Sequence, residues 1–222
     1  MPSWEAARRL RAECTAFALV VFDLDGTLAD SSSWFLSVIN GVARDYGFRQ
    51  IAAEEIELLR HAGAREMLQR LEVPLWKLPA IARRMRELKR EQLDAIFLFP
   101  GVPTMLQALR DAGLTLALVS SDNEDNARRQ LGESAALFRH FACGASIFGK
   151  AAKFRAVMRR ARVTTTRTIA IGDEVRDIEA ARAAGIACGA ATWGYAATEA
   201  LVAMKPKMIF ETMDDIVARL TS

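Results

Sequence analysis

Phe22-Asp23-Leu24-Asp25-Gly26-Thr27-Leu28 closes an uninterrupted apolar run that begins at residue 16, Ala16-Phe17-Ala18-Leu19-Val20-Val21-Phe22. A short apolar run ended by a turn residue reads as a strand buried on both faces, the kind found inside a parallel sheet. Two carboxylates, two residues apart, therefore emerge from the carboxyl end of that strand. In open α/β sheets this is the edge where ligands bind. A carboxylate buried there is costly unless a cation or hydrogen-bond donors compensate it, so the pair calls for a hard, oxygen-seeking metal such as Mg²⁺. Capping of the next turn is the other role Asp commonly plays after a strand, and the pair alone leaves that open. Gly26 lets the chain turn sharply.

Outward from this stretch, short apolar runs alternate with segments of helical periodicity, the pattern of strands and crossover helices. Further strands are expected at 114–119, 168–171, 186–190 and 208–210, with a weaker one at 141–142. Helices are expected at about 102–112, 123–132, 151–161, 175–184, 195–203 and 213–220. Gly113 and Gly185 stand just after helical periodicity and before apolar strands, as left-handed C-caps do. Between residues 32 and 98 the alternation fails. Amphipathic helical pieces follow one another at 34–46, 53–61, 65–71 and 78–96, separated by Gly47, Gly63 and the stretch from Pro74 to Pro79. The expected fold is α/β, a doubly wound, Rossmann-like parallel sheet with a small all-helical cap inserted in it. Residues 1–31 and 99–222 form the core and 32–98 the cap, with Phe99-Pro100-Gly101 as the return hinge.

The 222 residues are 51% hydrophobic and 26% charged, enough for a sizeable core and far from a disordered composition. Thirty Lys and Arg against 27 Asp and Glu give a formal net charge of +3, too small an excess to predict nucleic-acid binding. The local clusters Arg83, Arg84, Arg86, Lys89, Arg90 and Arg155, Arg159, Arg160, Arg162 have the spacing of solvated helix faces. Three widely separated cysteines, Cys14, Cys143 and Cys188, do not make a disulfide framework and read as free thiols in a reducing cytoplasm. The apolar run at 16–22 falls short of the roughly 18 residues of a membrane helix. The N-terminus, with Glu5 and Glu13 among its arginines, is a poor signal peptide.

A second acidic group, Gly172-Asp173-Glu174-Val175-Arg176-Asp177, follows another apolar strand. Asp173 and Asp177 are four apart, so a helix starting near Asp173 would set both on one face towards one cation. Helix capping accounts for one such acid and leaves the other over. Between the two acidic ends, Leu116-Ala117-Leu118-Val119-Ser120-Ser121 delivers a hydroxyl to the same edge. Ser120 and Lys150 are weak signals by themselves, since Ser begins many helices and an isolated Lys is usually solvated.

In this order the residues resemble the haloacid dehalogenase superfamily. Asp23-Leu24-Asp25-Gly26-Thr27 looks like its first motif, Ser120 its second, Lys150 its third, and Gly172-Asp173 with Asp177 its fourth. Lys153 competes for the third position, but the 23 residues from Lys150 to Asp173 are nearer the family's spacing than the 20 from Lys153. Phe99-Pro100-Gly101-Val102 and Trp193-Gly194-Tyr195 extend the likeness over nearly the whole chain. The subgroup it most resembles is the phosphoglycolate phosphatase-like hydrolases with a helical cap between the first and second motifs.

The resemblance implies a Mg²⁺-dependent phosphatase of small soluble phosphate esters, phosphoglycolate or a sugar phosphate among them, working through an aspartyl-phosphate on Asp23. It makes Asp25 the acid and base and places Asp23, Asp25 through its backbone carbonyl, Asp173 and Asp177 around the metal. Ser120 and the Ser121 amide would donate to the phosphoryl group, Lys150 would neutralise it and restrain Asp23, and Leu24 and Ser121 would contact substrate. Within the cap, Arg65 follows Gly63-Ala64 at an expected helix start and is the candidate cation for reaching substrate, an exposed arginine on an amphipathic helix being the alternative. An acid two residues after the nucleophile suits protonation of an alkoxide, which dehalogenation does not need. A phosphomutase and a catalytically silent module on the same fold are the alternatives. Charge, cysteine usage and the lack of membrane and signal segments together read as a soluble cytoplasmic protein with no nucleic-acid or membrane partner, with monomer and homodimer both open.

Overall fold

The computed structural model of the chain describes residues 16–144 and 149–222. Cys14, Glu5, Glu13 and the Phe148 that precedes Gly149 lie outside them. Six strands alternate with helices: β1 (Leu19–Phe22), the helices α1 (Ser32–Tyr46), α2 (Ile56–Arg60), α3 (Ala64–Arg70) and α4 (Leu78–Glu91), then α5 (Val102–Asp111) and β2 (Thr115–Val119). The remainder runs α6 (Glu124–Leu131), β3 (Phe138–Ala142), α7 (Lys150–Ala161), β4 (Thr168–Gly172), α8 (Val175–Ala184), β5 (Ala187–Ala191), α9 (Thr198–Ala203), β6 (Met208–Phe210) and α10 (Met213–Leu220). No helix among the described residues is long and apolar enough to cross a membrane.

The sheet order is β3-β2-β1-β4-β5-β6 and every pairing is parallel. Chain order reverses on either side of β1, so its carboxyl end is the switch point of a doubly wound sheet. The continuous apolar reading of β1 has a direct cause, because both its faces are covered. Val20 and Phe22 enter one core cluster with Met105, Leu106 and Leu109 of α5 and Ile216 of α10. Leu19 and Val21 enter the other with Phe154 and Val157 of α7 and Ile178 of α8. Gly185 (φ 74°) and Gly113 (φ 90°) follow α8 and α5 in left-handed backbone, as expected of them.

The helical segment between β1 and α5 has a core of its own, in which Ile39, Val42, Leu59, Leu71 and Ile81 are buried together. Its two ends run side by side. Asp30 N donates to Phe97 O and Phe99 N to Leu28 O, each at 2.9 Å, and Ala29 bridges Leu98. The four helices therefore leave and rejoin the sheet at one place, directly above the Asp23 edge.

Candidate active site

Register builds the site. Phe22 of β1 is level with Leu118 of β2 and Ile171 of β4, and Asp23 N donates to Ile171 O at 2.9 Å. The residues just beyond those strands, Asp23, Ser120 and Asp173, thus reach one edge, with exposures of 5%, 1% and 0%. Asp177 joins them by a route that differs from the expected one. Helix α8 begins only at Val175, so Asp173 lies in the turn after β4 and does not share a helix face with Asp177. The chain turns at Glu174, whose N–H is accepted by Asp177 Oδ2 at 3.1 Å, and this swings the second carboxylate back towards the first.

The Asp173 carboxylate is gripped from two sides. Thr27 Oγ1 donates to its Oδ1 at 2.6 Å and Tyr195 N to its Oδ2 at 2.8 Å. Gly26 (φ 78°) turns the chain so tightly that a Cβ there would sit 2.2 Å from Asp173 Oδ2 and 2.4 Å from Tyr195 Cδ2. A Cβ at Gly194 would meet the same Oδ2 at 2.3 Å. These two glycines let two segments of backbone close on a buried carboxylate. Gly26→Ala is accordingly expected to cost about 2–4 kcal/mol of folding stability, from overpacking plus left-handed strain. Urea unfolding at neutral pH checks it, and an unchanged midpoint would show that the close approach is relaxed at little cost.

Asp23, Asp173 and Asp177 bring carboxylate oxygens within 4.8 Å of one another. Burial pushes Asp23 up to about 6 against the pull of Lys150. Burial, then Glu174, Asp177 and Asp23, raise Asp173 well above its ordinary value. Burial also works to raise Asp177, but Lys150 and Arg176 together hold it below the ordinary value. Lys150 Nζ lies 2.9 Å from Asp23 Oδ1 and hydrogen-bonds Asp177 Oδ1. Burial opposes its charge, yet Asp177 and Asp23 keep it firmly protonated. Two cations, Lys150 and Arg176, against the three buried carboxylates and Glu174 leave an excess of acidic groups over cations, on hard oxygen donors. That donor set fits a divalent cation such as Mg²⁺.

The Asp25 side chain stands outside this cluster. Its Oδ1 accepts from Lys89 Nζ at 2.6 Å, and the same ammonium lies 3.0 Å from Asp122 Oδ2. Lys89 belongs to α4 and is 3% exposed, so the solvated helix face expected for it is incorrect. The missed signal was its spacing. Ile81, Met85 and Lys89 are four residues apart, which puts the lysine on the apolar face of its helix. Lys153, the competitor for the third motif, bonds backbone carbonyls and none of the acids. It donates to Ser120 O at 2.7 Å and to Gly144 O, tying α7 to the end of β2.

Three other expectations change. Arg65 is exposed and lines neither of the two cavities beside the acidic edge, because it lies on the outer face of α3; Arg60 and Arg176 line one of them instead. The Leu24 side chain is fully buried in the sheet's core, which leaves its backbone as the part that can meet a ligand. Ser121 does line a cavity, whereas Ser120 Oγ accepts from Asp122 N at 3.0 Å. Thr27, Asp122 and Tyr195 were not singled out as site residues, although Trp193-Gly194-Tyr195 had been noted. Tyr195 Oη is 2.8 Å from Ser31 Oγ, and Trp193 Nε1 donates to Thr27 O at 3.0 Å, so this late turn locks the first one in place.

The family model described as haloacid dehalogenase-like hydrolase matches residues 20–191, from β1 through β5. The chain belongs to this family. Among the relatives of this haloacid dehalogenase-like hydrolase, a phosphoglycolate phosphatase of Synechococcus elongatus is 31% identical over 204 residues, covering 91% of this chain and 96% of that one. A phosphoglycolate phosphatase of Xanthomonas campestris pv. campestris is 34% identical over 190 residues, covering 79% and 83%. A crystal structure described as a predicted phosphoglycolate phosphatase from Haemophilus somnus superimposes with a TM-score of 0.73 at 26% identity, covering 92% of this chain and 98% of that one.

Proposed function

We propose that the chain is a Mg²⁺-dependent phosphomonoesterase of small molecules that works through an aspartyl-phosphate on Asp23. The observation that carries this reading is the separation of two carboxylates on one turn. Asp23 sits among buried acids with Lys150 on its Oδ1, while Asp25 faces the helical segment and Lys89. One is placed to attack and the other to handle a proton. The relatives' names point to the same class of ester.

In the first step an Asp23 oxygen bonds to phosphorus as the bond to the leaving oxygen breaks, and Asp25 gives that oxygen its proton. In the second, water attacks the aspartyl-phosphate, Asp25 takes the water's proton, and the acyl phosphate splits to orthophosphate and free Asp23. Lys150 and the Ser121 amide stabilise the phosphoryl oxygens, and Ser120 orders the turn that presents that amide. Asp23, Asp173, Asp177 and the Asp25 carbonyl would hold Mg²⁺, which when bound offsets the repulsion between an anionic nucleophile and an anionic substrate. Residues 32–98 act as a cap over residues 1–31 and 99–222, shielding the site from water. We place the enzyme in the cytoplasm, as a monomer or homodimer, with phosphoglycolate or a sugar phosphate within its substrate range.

Orthophosphate release from a generic aryl phosphate, with Mg²⁺ and after chelation, tests the reading; no release with Mg²⁺ present overturns it. The metal itself should bind in a pH-dependent manner. Asp23 and Asp173, both raised by burial, must lose their protons to serve as ligands. Apparent Mg²⁺ affinity is therefore expected to fall by up to about a hundredfold for each pH unit below 6, a factor of ten for each proton displaced, as titration calorimetry at pH 5, 6 and 7.5 would measure. An affinity constant across that range would remove these carboxylates from the metal site.

A further inference from the structure

The bases of α4 do not share one fate. Arg83 and Arg90 are exposed, Arg84 lies within ion-pair distance of Glu87 and Glu91, and Lys89 is buried between Asp25 and Asp122. Arg86 is half-buried and lines the cavity that opens beside Asp25, Ser121 and Asp122, so the solvated face expected for it is also incorrect. The apolar wall of that cavity, Ile39, Leu71 and Ile81 among it, is the helical segment's own packed core, which leaves the polar mouth as the part a ligand can meet.

At that mouth every charge but one has a partner. Asp25 and Asp122 share Lys89, and Arg176 pairs with Glu174. Among the described residues no carboxylate stands within ion-pair distance of the Arg86 guanidinium. Its backbone, by contrast, is anchored. Asn126 of α6, 1% exposed, donates from Nδ2 to Arg86 O at 3.1 Å and to Asp122 Oδ1 at 3.0 Å, tying this turn of α4 to the end of β2. The charge of Arg86 is felt there too. Lys153, which bonds Ser120 O, is lowered first by burial and further by Lys150 and Arg86.

An unpaired guanidinium in a partly desolvated mouth is a ready partner for an oxyanion, and its planar fork matches a carboxylate. In the step that frees the leaving group, Asp25 holds the proton it will give, so Lys89 then balances Asp122 and Arg176 balances Glu174. The charge of Arg86 is left over. A carboxylate on the leaving group matches it, a neutral polyol leaves it unused, and a second phosphoryl group, with about two negative charges, exceeds it.

Resting on the phosphatase reading above, we infer that Arg86 is the specificity-determining residue of the helical segment, its guanidinium taking a carboxylate on the leaving group while the ester oxygen faces Asp25. The cation expected at Arg65 of α3 is thus supplied by α4. Of the esters named above, phosphoglycolate carries the group that Arg86 takes, and a neutral sugar lacks it.

The test compares 2-phosphoglycolate with ethyl phosphate, which has no carboxylate, and with the bisphosphate of ethane-1,2-diol, all with Mg²⁺. Wild type is expected to favour 2-phosphoglycolate. Arg86→Met is expected to lower the ratio of its kcat/KM to that of ethyl phosphate by about 10- to 100-fold, chiefly through KM for 2-phosphoglycolate. Differences in ester reactivity, and any general loss of folded enzyme, cancel in that change of ratio. Arg86→Gln is expected to act alike and stands in if the methionine variant does not fold. An unchanged ratio overturns the assignment, as does a wild type that prefers ethyl phosphate. A bisphosphate favoured tenfold over 2-phosphoglycolate overturns the carboxylate as the group bound. Release from an aryl phosphate but not from 2-phosphoglycolate overturns the role of Arg86 and leaves the phosphatase standing, whereas release from none of the four overturns both.

Discussion

Asp23→Asn is expected to lower kcat towards every phosphomonoester by at least about 10⁴-fold, since it removes the atom that bonds to phosphorus while keeping the shape of the side chain. Stability should move the other way. In the metal-free protein Asp23 is raised from 3.8 to about 6, with burial as the main cause. Between those values the native state holds a proton that the unfolded chain has released. Folding stability therefore falls as pH rises through that window, and the cost is fully present above it. An uncharged Asn escapes that cost, so the metal-free variant should melt a few degrees above wild type at pH 8 and level with it at pH 4. Lost activity combined with lost stability at pH 8 would point to disrupted folding, and retained activity would remove Asp23 as nucleophile.

This opposition between activity and stability explains why the acidic edge was legible in the sequence. Asp23 and Asp173 each interrupt an apolar strand, and a charge at the end of a buried run needs a reason to be there. The sheet was legible for the same reason, since β1, β2, β4 and β5 are covered on both faces and their apolar runs are hardly broken. The edge strand β3 was read only at its last two residues, because Arg139 and His140 interrupt the pattern between Phe138 and Phe141. Helix α9 starts at Thr198, later than its periodicity implied, because the residues before it form the turn in which Tyr195 N holds Asp173.

What remained hidden depends on partners far away in the chain. Lys89 looks like one more base in a run of five, and only the 64 residues separating it from Asp25 in sequence, closed to 2.6 Å in space, distinguish it. No local pattern encodes that distance. The spacing from Ile81 through Met85 gives its face but not its partner. Asp122 is similar. It reads as an ordinary residue before a helix, yet it is buried, and its Oδ2 meets the ammonium without hydrogen-bond alignment. Arg65, by contrast, stands at the start of α3 after Gly63, and the turn of that helix leaves it exposed.

The two lysines of α7 provide the sharpest separation of roles. Lys150→Met should lower kcat/KM by about 10³-fold or more, because Asp23 loses the ammonium 2.9 Å from its Oδ1 and the phosphoryl group loses a fixed cation. It should also cost about 3–5 kcal/mol in the metal-free protein at pH 7.5, the usual penalty for leaving buried carboxylates without their partner. The sign with pH follows from the acids. Asp177 is held below its ordinary value by Lys150 and contributes stability above pH 3.8 that disappears as pH falls through its lowered folded value. Asp23 takes up its proton below about 6. Both carboxylates need the lysine less in acid, so the penalty should shrink as the pH approaches 4. Lys153→Met removes two bonds to carbonyls, Ser120 O and Gly144 O, and touches no carboxylate of the cluster. Its expected cost is about 1–2 kcal/mol, with kcat lowered less than about tenfold and no dependence on pH between 5 and 8. Steady-state kinetics and urea unfolding of the two variants at pH 5 and 7.5 decide between them. If Lys153→Met were inactive and Lys150→Met active, the phosphate-neutralising role would pass to Lys153, and the Lys150 contacts with Asp23 and Asp177 would be structural only.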